Sequence, residues 1–326
     1  MTTMTRAMSR TGGRRATGAR SIQIVATPSS GHGGGVNTAR RLHDALRTRG
    51  HGVALEVFSD LTSLRRWAKS ARTNFSLLIS VGGDGTQSTA AMAAVRRSIP
   101  FLSVPSGFGN LFARAFGHVP DVDRVVDLLD HGTLVDADVG VRNGQLFLDQ
   151  ESFGVLSQIQ ASVEARLIRP SARWRRWLAY YRGAVRYLRD TPLTTLRVAV
   201  DGRIVADAAV LVTVANVETY GAWLPLTPAA SPVDGLVDVF VMRGATKLEV
   251  LAKLLRRHLR LTAAEQGTLL CRARRVSVAA SRSTRDELEV MPGLLPVVVS
   301  MEMATRLDRE VLPATRPLGI EHARVA

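Results

Sequence analysis

The feature that most constrains this chain is a glycine-rich loop that directly follows a short apolar run. Residues 77–81 (LLISV) are apolar apart from one serine, which is typical of a strand covered on both faces of a parallel sheet. The loop, residues 82–86 (GGDGT), comes next, and residues 87–97 then show a helical pattern. The order strand, glycine loop, helix predicts one unit of an α/β sheet.

Two further loops occupy the same position. Residues 27–35 follow a strand predicted over residues 22–26, and residues 105–110 (PSGFGN) follow a strand predicted over residues 101–104. Strands that alternate with helices predict a doubly wound parallel sheet. Because open α/β sheets bind ligands at the carboxyl ends of their strands, the three loops are expected to lie together.

The pattern changes after about residue 136, where short strands with turn residues between them predict an antiparallel β domain. Leu248, Leu251, Leu255 and Leu259 form one stripe of a predicted helix and are expected to pack into a core. The predicted divisions are a flexible basic tail (1–20), an α/β domain (21–136), a β domain (137–304) and a C-terminal segment that could return to the first domain (305–326). The fold class is therefore α/β, with a parallel-sheet domain followed by an antiparallel β domain.

Charge and composition narrow the classes of partner. Lys and Arg number 43 against 28 Asp and Glu, a formal net charge of +15, which favours nucleic acid, anionic lipid headgroups or nucleotide phosphates. No helix-turn-helix or zinc-finger pattern is present, so nucleic acid is not expected. The single Cys271 excludes an internal disulfide. No apolar run approaches the roughly 20 residues of a spanning helix, and a cytoplasmic protein is expected.

Glycines at strand ends let backbone N–H groups approach a phosphate, and the following helix adds the positive end of its dipole. Asp84 lies between such glycines, where it would repel a phosphate unless Mg²⁺ lay between them. The alternative is that Asp84 caps the helix that follows.

Residues 82–86 followed by residues 105–114 (PSGFGNLFAR) resemble the diacylglycerol kinase catalytic-domain family, which includes sphingosine and ceramide kinases and is distantly related to NAD kinase. The resemblance runs over nearly the whole chain after the tail. It implies an ATP-binding α/β domain, a C-terminal β-sandwich and an active site in the cleft between them. It also implies ATP and Mg²⁺ as cofactors and a lipid as substrate.

The resemblance implies roles for particular residues. Asp84 would face Mg²⁺, Asp234 would be an acidic ligand of bound Mg²⁺, and Glu289 would act as the catalytic base. The residues implied to contact the nucleotide are Thr27, Ser30, Gly31, Gly82, Gly83, Asp84, Gly85, Thr86, Gly107, Gly109 and Asn110. For Asp234 the alternative is an ordinary Asp-Gly turn.

The chain also departs from the family pattern. Thr27 and Asp149 replace asparagines, Phe108 replaces a threonine, and residues 286–293 (DELEVMPG) lack the family's Asp-Gly-Glu. Strand register would put Glu289 in place of the aspartate, although a carboxylate on an exposed strand is usually just solvated. The expected function is an ATP-dependent lipid kinase; the alternative is a degenerate member that binds nucleotide or lipid without turnover.

A helix predicted over residues 171–189 places Trp174 and Trp177 on one face with arginines beside it. This face suits an anionic membrane surface, and packing against the β domain is the alternative. The expectation is a peripheral protein at the inner membrane face, for which a homodimer is one compatible state.

Overall fold

A computed structural model describes most of the chain. The described residues are 20–28, 34–70, 74–107, 109–164, 182, 192–218, 226–244, 246–258, 267–280 and 284–311. The predicted helix around Trp174 and Trp177 therefore lies outside the described residues, except for Arg182. Ser30, Gly31 and Phe108 also lie outside them.

The N-terminal half is a parallel sheet with helices on both faces. Its strands are β1 (Ser21–Ala26), β2 (Gly52–Val57), β3 (Leu77–Gly82) and β4 (Phe101–Pro105), in the spatial order β4-β3-β1-β2. Its helices are α1 (Gly34–Thr48), α2 (Leu61–Ser70), α3 (Asp84–Arg97), α4 (Leu111–Ala115) and α5 (Val122–His131). Strands β3 and β4 are buried along their whole length, as their apolar sequences predict.

Each face of this sheet has its own core. Ile22 and Ile24 of β1 pack with α1 and α5, whereas Val25 faces the opposite core with α2 and α3. Helix α5 was not predicted from the sequence. Asp121 caps it by accepting a hydrogen bond from the Arg124 N–H at 3.0 Å.

The second half is built from antiparallel strands. Its strands are β5 (Thr133–Arg142), β6 (Gln145–Phe147), β7 (Gln150–Gly154), β8 (Leu196–Val200), β9 (Arg203–Ala215), β10 (Val237–Arg243), β11 (Thr268–Ala273), β12 (Arg275–Ala279) and β13 (Arg285–Val299). Its helices are α6 (Val155–Glu164), α7 (Lys247–His258) and α8 (Met301–Val311). Valines from β8, β9, β10 and β12 form a separate core inside these strands.

Strands β5 and β13 connect the two halves. They pair antiparallel from Leu288↔Arg142 to Val299↔Thr133, with an irregularity between Met291 and Leu295. The far end of β13 also pairs with β4 of the parallel sheet, at Val297↔Phe101. The division predicted between residues 136 and 137 thus falls inside β5. Helix α8 follows β13, and its Leu307, which is 3% exposed, packs with Phe112 and Phe116 of the N-terminal half.

One expectation about packing was wrong. Leu248, Leu251 and Leu255 of α7 are 77%, 38% and 54% exposed, so these three leucines are not in a core; Leu259 lies outside the described residues. The helix packs instead through Val250, which is buried, and Leu254, because these lie on the side that faces β9 and β10. Within the described part of the chain, no helix has the length and apolar character needed to cross a bilayer.

Candidate active site

The structure brings the described parts of the three glycine loops to one edge of the parallel sheet: residues 27, 28, 34 and 35 of the first loop, the whole of the second, and the third apart from residue 108. Strand β3 lies between β1 and β4, and all three run in the same direction, so the residues that follow them are neighbours. Thr27, after β1, and Thr86, in the second loop, are buried and have their Oγ1 atoms 2.8 Å apart. These two hydroxyls join the first loop to the second.

Close backbone contact joins the second loop to the third. A Cβ atom on Gly107 would lie 2.5 Å from Gly83 Cα, and a Cβ on Gly82 would lie 2.4 Å from Thr86 Cβ. The Ser106 N–H also donates to the Gly82 carbonyl at 3.0 Å. Gly107 therefore allows the second and third loops to pack together, whereas Gly82 leaves room for the Thr86 side chain within the second loop.

The third loop is closed by Asn110, whose backbone has the left-handed φ of 50°. Its side chain accepts a hydrogen bond from the Gly107 N–H and donates one to the Gly107 carbonyl, both at 2.9 Å. The N–H of Gly107 is thus already occupied. The N–H of Gly109 has no such partner among the described residues.

Asp84 joins the second loop to α4, the helix that follows the third loop. Its carboxylate accepts hydrogen bonds from the backbone N–H groups of Asn110, at 2.8 Å, and Leu111, at 2.7 Å. It does not cap its own helix: the N-cap of α3 is Gly83, without a side-chain hydrogen bond. A Cβ on Gly109 would lie 2.6 Å from the Asp84 carboxylate, so this glycine makes room for it.

A second carboxylate, Asp149, belongs to the turn between β6 and β7. Burial, and secondarily the negative charge of Asp84, raise its pKa to about 7. Burial likewise raises the pKa of Asp84, against the lowering effect of its backbone hydrogen bonds. The β half of the chain therefore presents a carboxylate to the glycine loops.

Asn216, which is fully buried, positions this turn. Its Nδ2 donates to the carbonyls of Asp138, at 2.9 Å, and Leu148, at 3.1 Å, and its N–H donates to the Asp149 carbonyl at 2.8 Å. Asn216 thus holds β5, the β6–β7 turn and β9 together beside the loops.

The carboxylates near the loops would bind Mg²⁺ only together with phosphate oxygens from a bound ligand. Among the described residues, no group of three or more His, Cys, Asp or Glu side chains has an arrangement that could hold a metal ion. Asp84 and Asp149 are hard oxygen donors, and proteins commonly bind Mg²⁺ with one or two carboxylates plus substrate phosphates. The pair fits an Mg²⁺ that arrives with a nucleotide.

The Mg²⁺ role of Asp234 stays a prediction, and the structure places an arginine near its carboxylate. Its Oδ2 lies 3.6 Å from Arg272 Nη1, and Arg272 Nε lies 3.7 Å from the carboxylate of Asp238. Its Oδ1 accepts from the Leu236 N–H at 3.0 Å, and Gly235 has a φ of +74°, as in an Asp-Gly turn. Arg272 thus supplies positive charge near the carboxylates of Asp234 and Asp238.

Asp138, which was not predicted as a site residue from the sequence, holds the turn at Asp234 and Gly235 in place. Its carboxylate accepts hydrogen bonds from Gly235 N–H at 2.6 Å and from Gly293 N–H, in the irregular part of β13, at 2.8 Å. Burial raises the pKa of Asp138 to about 6 despite these bonds. The signal that could have identified Asp138 is an aspartate between apolar residues of β5, in the part of the strand that is buried.

Glu289 lies in a cross-strand ion pair. Its Oε2 is 3.7 Å from Arg275 Nε, and its side chain is 40% exposed. Leu288 and Val290, its neighbours along β13, point into the β core, so Glu289 points away from that core. It stands outside the group of contacts that joins Asp84, the loops and Asp149.

Comparisons with known proteins cover both halves of the chain. The model of the diacylglycerol kinase catalytic domain matches residues 21–141, and that of the YegS C-terminal NAD kinase beta sandwich-like domain matches residues 153–311. The second match agrees with the antiparallel strands and confirms the predicted fold class.

Curated relatives carry the same family name. A diacylglycerol kinase of Bacillus subtilis (strain 168) is 27% identical over 260 residues, which are 74% of this chain and 83% of the relative. A diacylglycerol kinase of Mycobacterium tuberculosis (strain ATCC 25618 / H37Rv) is 29% identical over 243 residues, 71% of this chain and 75% of the relative.

Solved structures share the fold. Two Bacillus anthracis structures that bear the name diacylglycerol kinase superimpose with TM-scores of 0.67 and 0.62, each at 18% identity. The superpositions cover 88% of this chain and 99% and 100% of theirs. With two consecutive domain models matched and relatives aligned across both halves, the chain belongs to the diacylglycerol kinase catalytic-domain family.

Proposed function

We propose that this protein transfers the γ-phosphate of ATP to the hydroxyl of a lipid, diacylglycerol or a related molecule. The observation that carries the proposal is that Asp84 of the second glycine loop binds the N–H groups of Asn110 and Leu111 at the end of the third loop. Thr27 joins the first strand end to the second loop, and the other half of the chain supplies Asp149. Diacylglycerol kinases of 27% and 29% identity support the reaction class.

The first turn of α3 is the proposed phosphate site. The N–H groups at the start of a helix lack partners within the helix, and the helix dipole favours negative charge there. Glycines at positions 83 and 85 leave this turn without bulky side chains, and Gly85 is exposed. The Gly109 N–H adds a donor from the third loop, whereas the N–H groups of Gly107 and Asn110 serve the loop itself.

Thr27 and Thr86 act by holding the loops in place, because both are buried and hydrogen-bonded to each other. Asp84 and Asp149 would hold an Mg²⁺ that arrives with ATP. That ion would neutralise charge on the transferred phosphoryl group. Without a cation between them, the two carboxylates would repel the nucleotide, so binding of ATP is expected to depend on Mg²⁺.

Glu289 is the proposed acceptor of the lipid hydroxyl proton, and its ion pair with Arg275 gives the competing role. The variant Glu289→Gln distinguishes the role of proton acceptor from that of ion-pair partner. Loss of a general base lowers turnover by about 10²–10⁴-fold, whereas a solvated carboxylate can be replaced with little effect. Arg275→Gln is the matched control, because it breaks the same ion pair without removing the carboxylate.

The test of the function is transfer of ³²P from ATP to extracted lipids, run beside a nucleotide-binding assay. Labelled lipid supports the proposal. Mg²⁺-dependent ATP binding without labelled product identifies the degenerate alternative instead. Labelled NAD in a parallel reaction would assign the acceptor to the NAD kinase type. The proposed place of action is the cytoplasmic face of an anionic membrane, supported by the formal charge of +15.

A further inference from the structure

Helix α7 is buried on one side only. Val250 is 1% exposed and packs, with Leu254, against α6, β9 and β10. Arg257 stacks over the Phe240 ring at 4.5 Å and donates to the Leu226 carbonyl at 3.2 Å. These contacts fix the rotation of the helix about its axis, and therefore fix which side faces outward.

The outward side is apolar. Leu248, Leu251 and Leu255 are 77%, 38% and 54% exposed, and their spacings of three and four residues place them on one face. Leu270 of β11, 43% exposed, pairs with Phe240 in the antiparallel register, so both lie on the sheet face that α7 covers. We call Leu248, Leu251 and Leu255 the leucine surface.

The charges around this surface are positive. Helix α7 has a formal sum of +3, with His258 neutral, from Lys247, Lys253, Arg256 and Arg257 against Glu249. Lys253 and Arg257 are held by contacts toward the packed side, so Lys247 and the exposed Arg256 are the cations beside the leucines. The Glu249 carboxylate pairs with Lys253 at 2.7 Å, and Arg256 is exposed. A helix with leucines on one face and cations beside them is suited to the interface of an anionic bilayer, where the leucines enter the acyl boundary and the cations meet headgroups.

We propose that the leucine surface is the face by which this protein docks on an anionic membrane. The inference rests on the proposed function for its occupant, since a kinase acting on a lipid must reach the bilayer that contains it. A second copy of the chain fits less well. A symmetric dimer through α7 would place two helices of formal charge +3 against each other.

Sedimentation of the full chain with vesicles tests the proposal. The probes are phosphatidylcholine vesicles with and without phosphatidylglycerol. The double variant Leu248→Gln/Leu255→Gln is expected to bind anionic vesicles about tenfold more weakly or worse, because two exposed leucines lose their insertion. Ile204→Gln, at a position 59% exposed on β9, is the matched control and should bind like the unaltered protein. Equal binding by the double variant and the unaltered protein would overturn the proposal.

Two further measurements identify the occupant. Arg256→Gln and added salt should each weaken binding to anionic vesicles while leaving the low binding to neutral vesicles unchanged. Sedimentation velocity without lipid should give the same oligomeric state for the double variant and the unaltered protein. A dimer that dissociates in the double variant, with vesicle binding retained, would assign the leucine surface to a second copy and overturn the membrane proposal.

The outcome is independent of the proposed reaction. Vesicle binding is measured without ATP, so it can succeed even if no lipid is phosphorylated. If the kinase reaction exists, the double variant should keep its activity on a short-chain, water-soluble diacylglycerol and lose it on vesicle-borne substrate. Equal losses on both substrates would contradict a docking role.

Discussion

The carboxylate of Asp84 accepts a hydrogen bond from the backbone N–H of Leu111 at 2.7 Å, although the two residues belong to different βα units. The acidic residue of the second glycine loop therefore sets the position of the helix after the third. Asp84 was expected from its sequence context to face Mg²⁺ or to cap its own helix. Its observed contacts mean that any substitution there changes both the shape of the loops and the charge at the site.

Gly107→Ala should prevent the second and third loops from approaching each other. The added Cβ would lie 2.5 Å from Gly83 Cα, and backbone cannot move aside as a flexible side chain can. Overpacking of this kind destabilises by about 1–3 kcal/mol, which urea unfolding would detect, and ATP affinity should fall with it. Gly52→Ala is the control, because its nearest atom would be 3.7 Å away. Unchanged stability in Gly107→Ala would contradict the loop contact.

Asp149→Asn should make the protein more stable above neutral pH. In the unfolded chain this carboxyl titrates near pH ~4, whereas in the folded protein burial and Asp84 raise its pKa to about 7. The folded state holds the proton more tightly, so stability falls as pH rises from about 4 to about 7. The Asn side chain does not titrate, so the variant should not show this fall in stability. Unfolding measured from pH 4 to pH 9 should show the two proteins diverging in this window, and parallel curves would contradict a raised pKa for the buried Asp149.

His118 should limit stability in acid. Its Nδ1 lies 2.7 Å from Ser103 Oγ and its Nε2 lies 2.8 Å from the Val298 carbonyl. Burial lowers its pKa to about 4 from 6.5. The unfolded chain binds the proton first, so as pH falls from 6.5 to 4 the protein loses on the order of 3 kcal/mol.

His118→Gln should therefore be less stable at pH 8 but show a shallower loss between pH 6.5 and pH 4. His131→Gln, with a side chain 77% exposed, is the control and should keep the steep loss. If His118→Gln and the unaltered protein lost the same stability between pH 6.5 and pH 4, another titrating group would be responsible for the loss.

Removal of divalent metal should leave the nucleotide-free protein unaffected. Arg272 already supplies the positive charge beside Asp234 and Asp238, so thermal unfolding should have the same midpoint in EDTA and in Mg²⁺. Arg272→Ala should lower the midpoint, because a buried charge left unpaired is strongly destabilising. Arg275→Ala, whose side chain is 78% exposed, should change it little. A midpoint of the unaltered protein that rises with Mg²⁺ alone would contradict this expectation and support the Mg²⁺ role predicted for Asp234.

Local sequence patterns predicted most elements of the parallel half. The apolar runs of β3 and β4 are long enough to be strands and too short to be buried helices, and glycine loops mark their ends. Helix α5 had a comparable signal, the Asp121 cap followed by Val122, Val125 and Val126, and was missed. What could not be predicted depends on contacts distant in the chain. One example is β13, which pairs with β12 along its first part and with β4 near its end. Another is the choice of which side of α7 is buried. Both are set by tertiary packing.

The same limit applies to the site. The family pattern identified the loops, and the structure brings together those that it describes. The partners of individual carboxylates were not visible: Asp84 with Leu111, Asp234 with Arg272, and Asp138 with Gly235 are separated by 27, 38 and 97 residues. A carboxylate in a glycine loop has the same sequence signature whether it meets a metal or backbone N–H groups.

Transfer of ³²P from ATP to diacylglycerol, compared between the unaltered protein and Asp84→Asn, tests the central claim most directly. The account predicts Mg²⁺-dependent product from the unaltered protein and a loss of two or more orders of magnitude in Asp84→Asn. That variant should also lose about 1–3 kcal/mol of stability, since its amide nitrogen would face an N–H donor. Asp207→Asn, at an exposed position, should match the unaltered protein in both respects. Full transfer by a folded Asp84→Asn protein would contradict the proposed site, and no transfer by the unaltered protein to any lipid would contradict the proposed function.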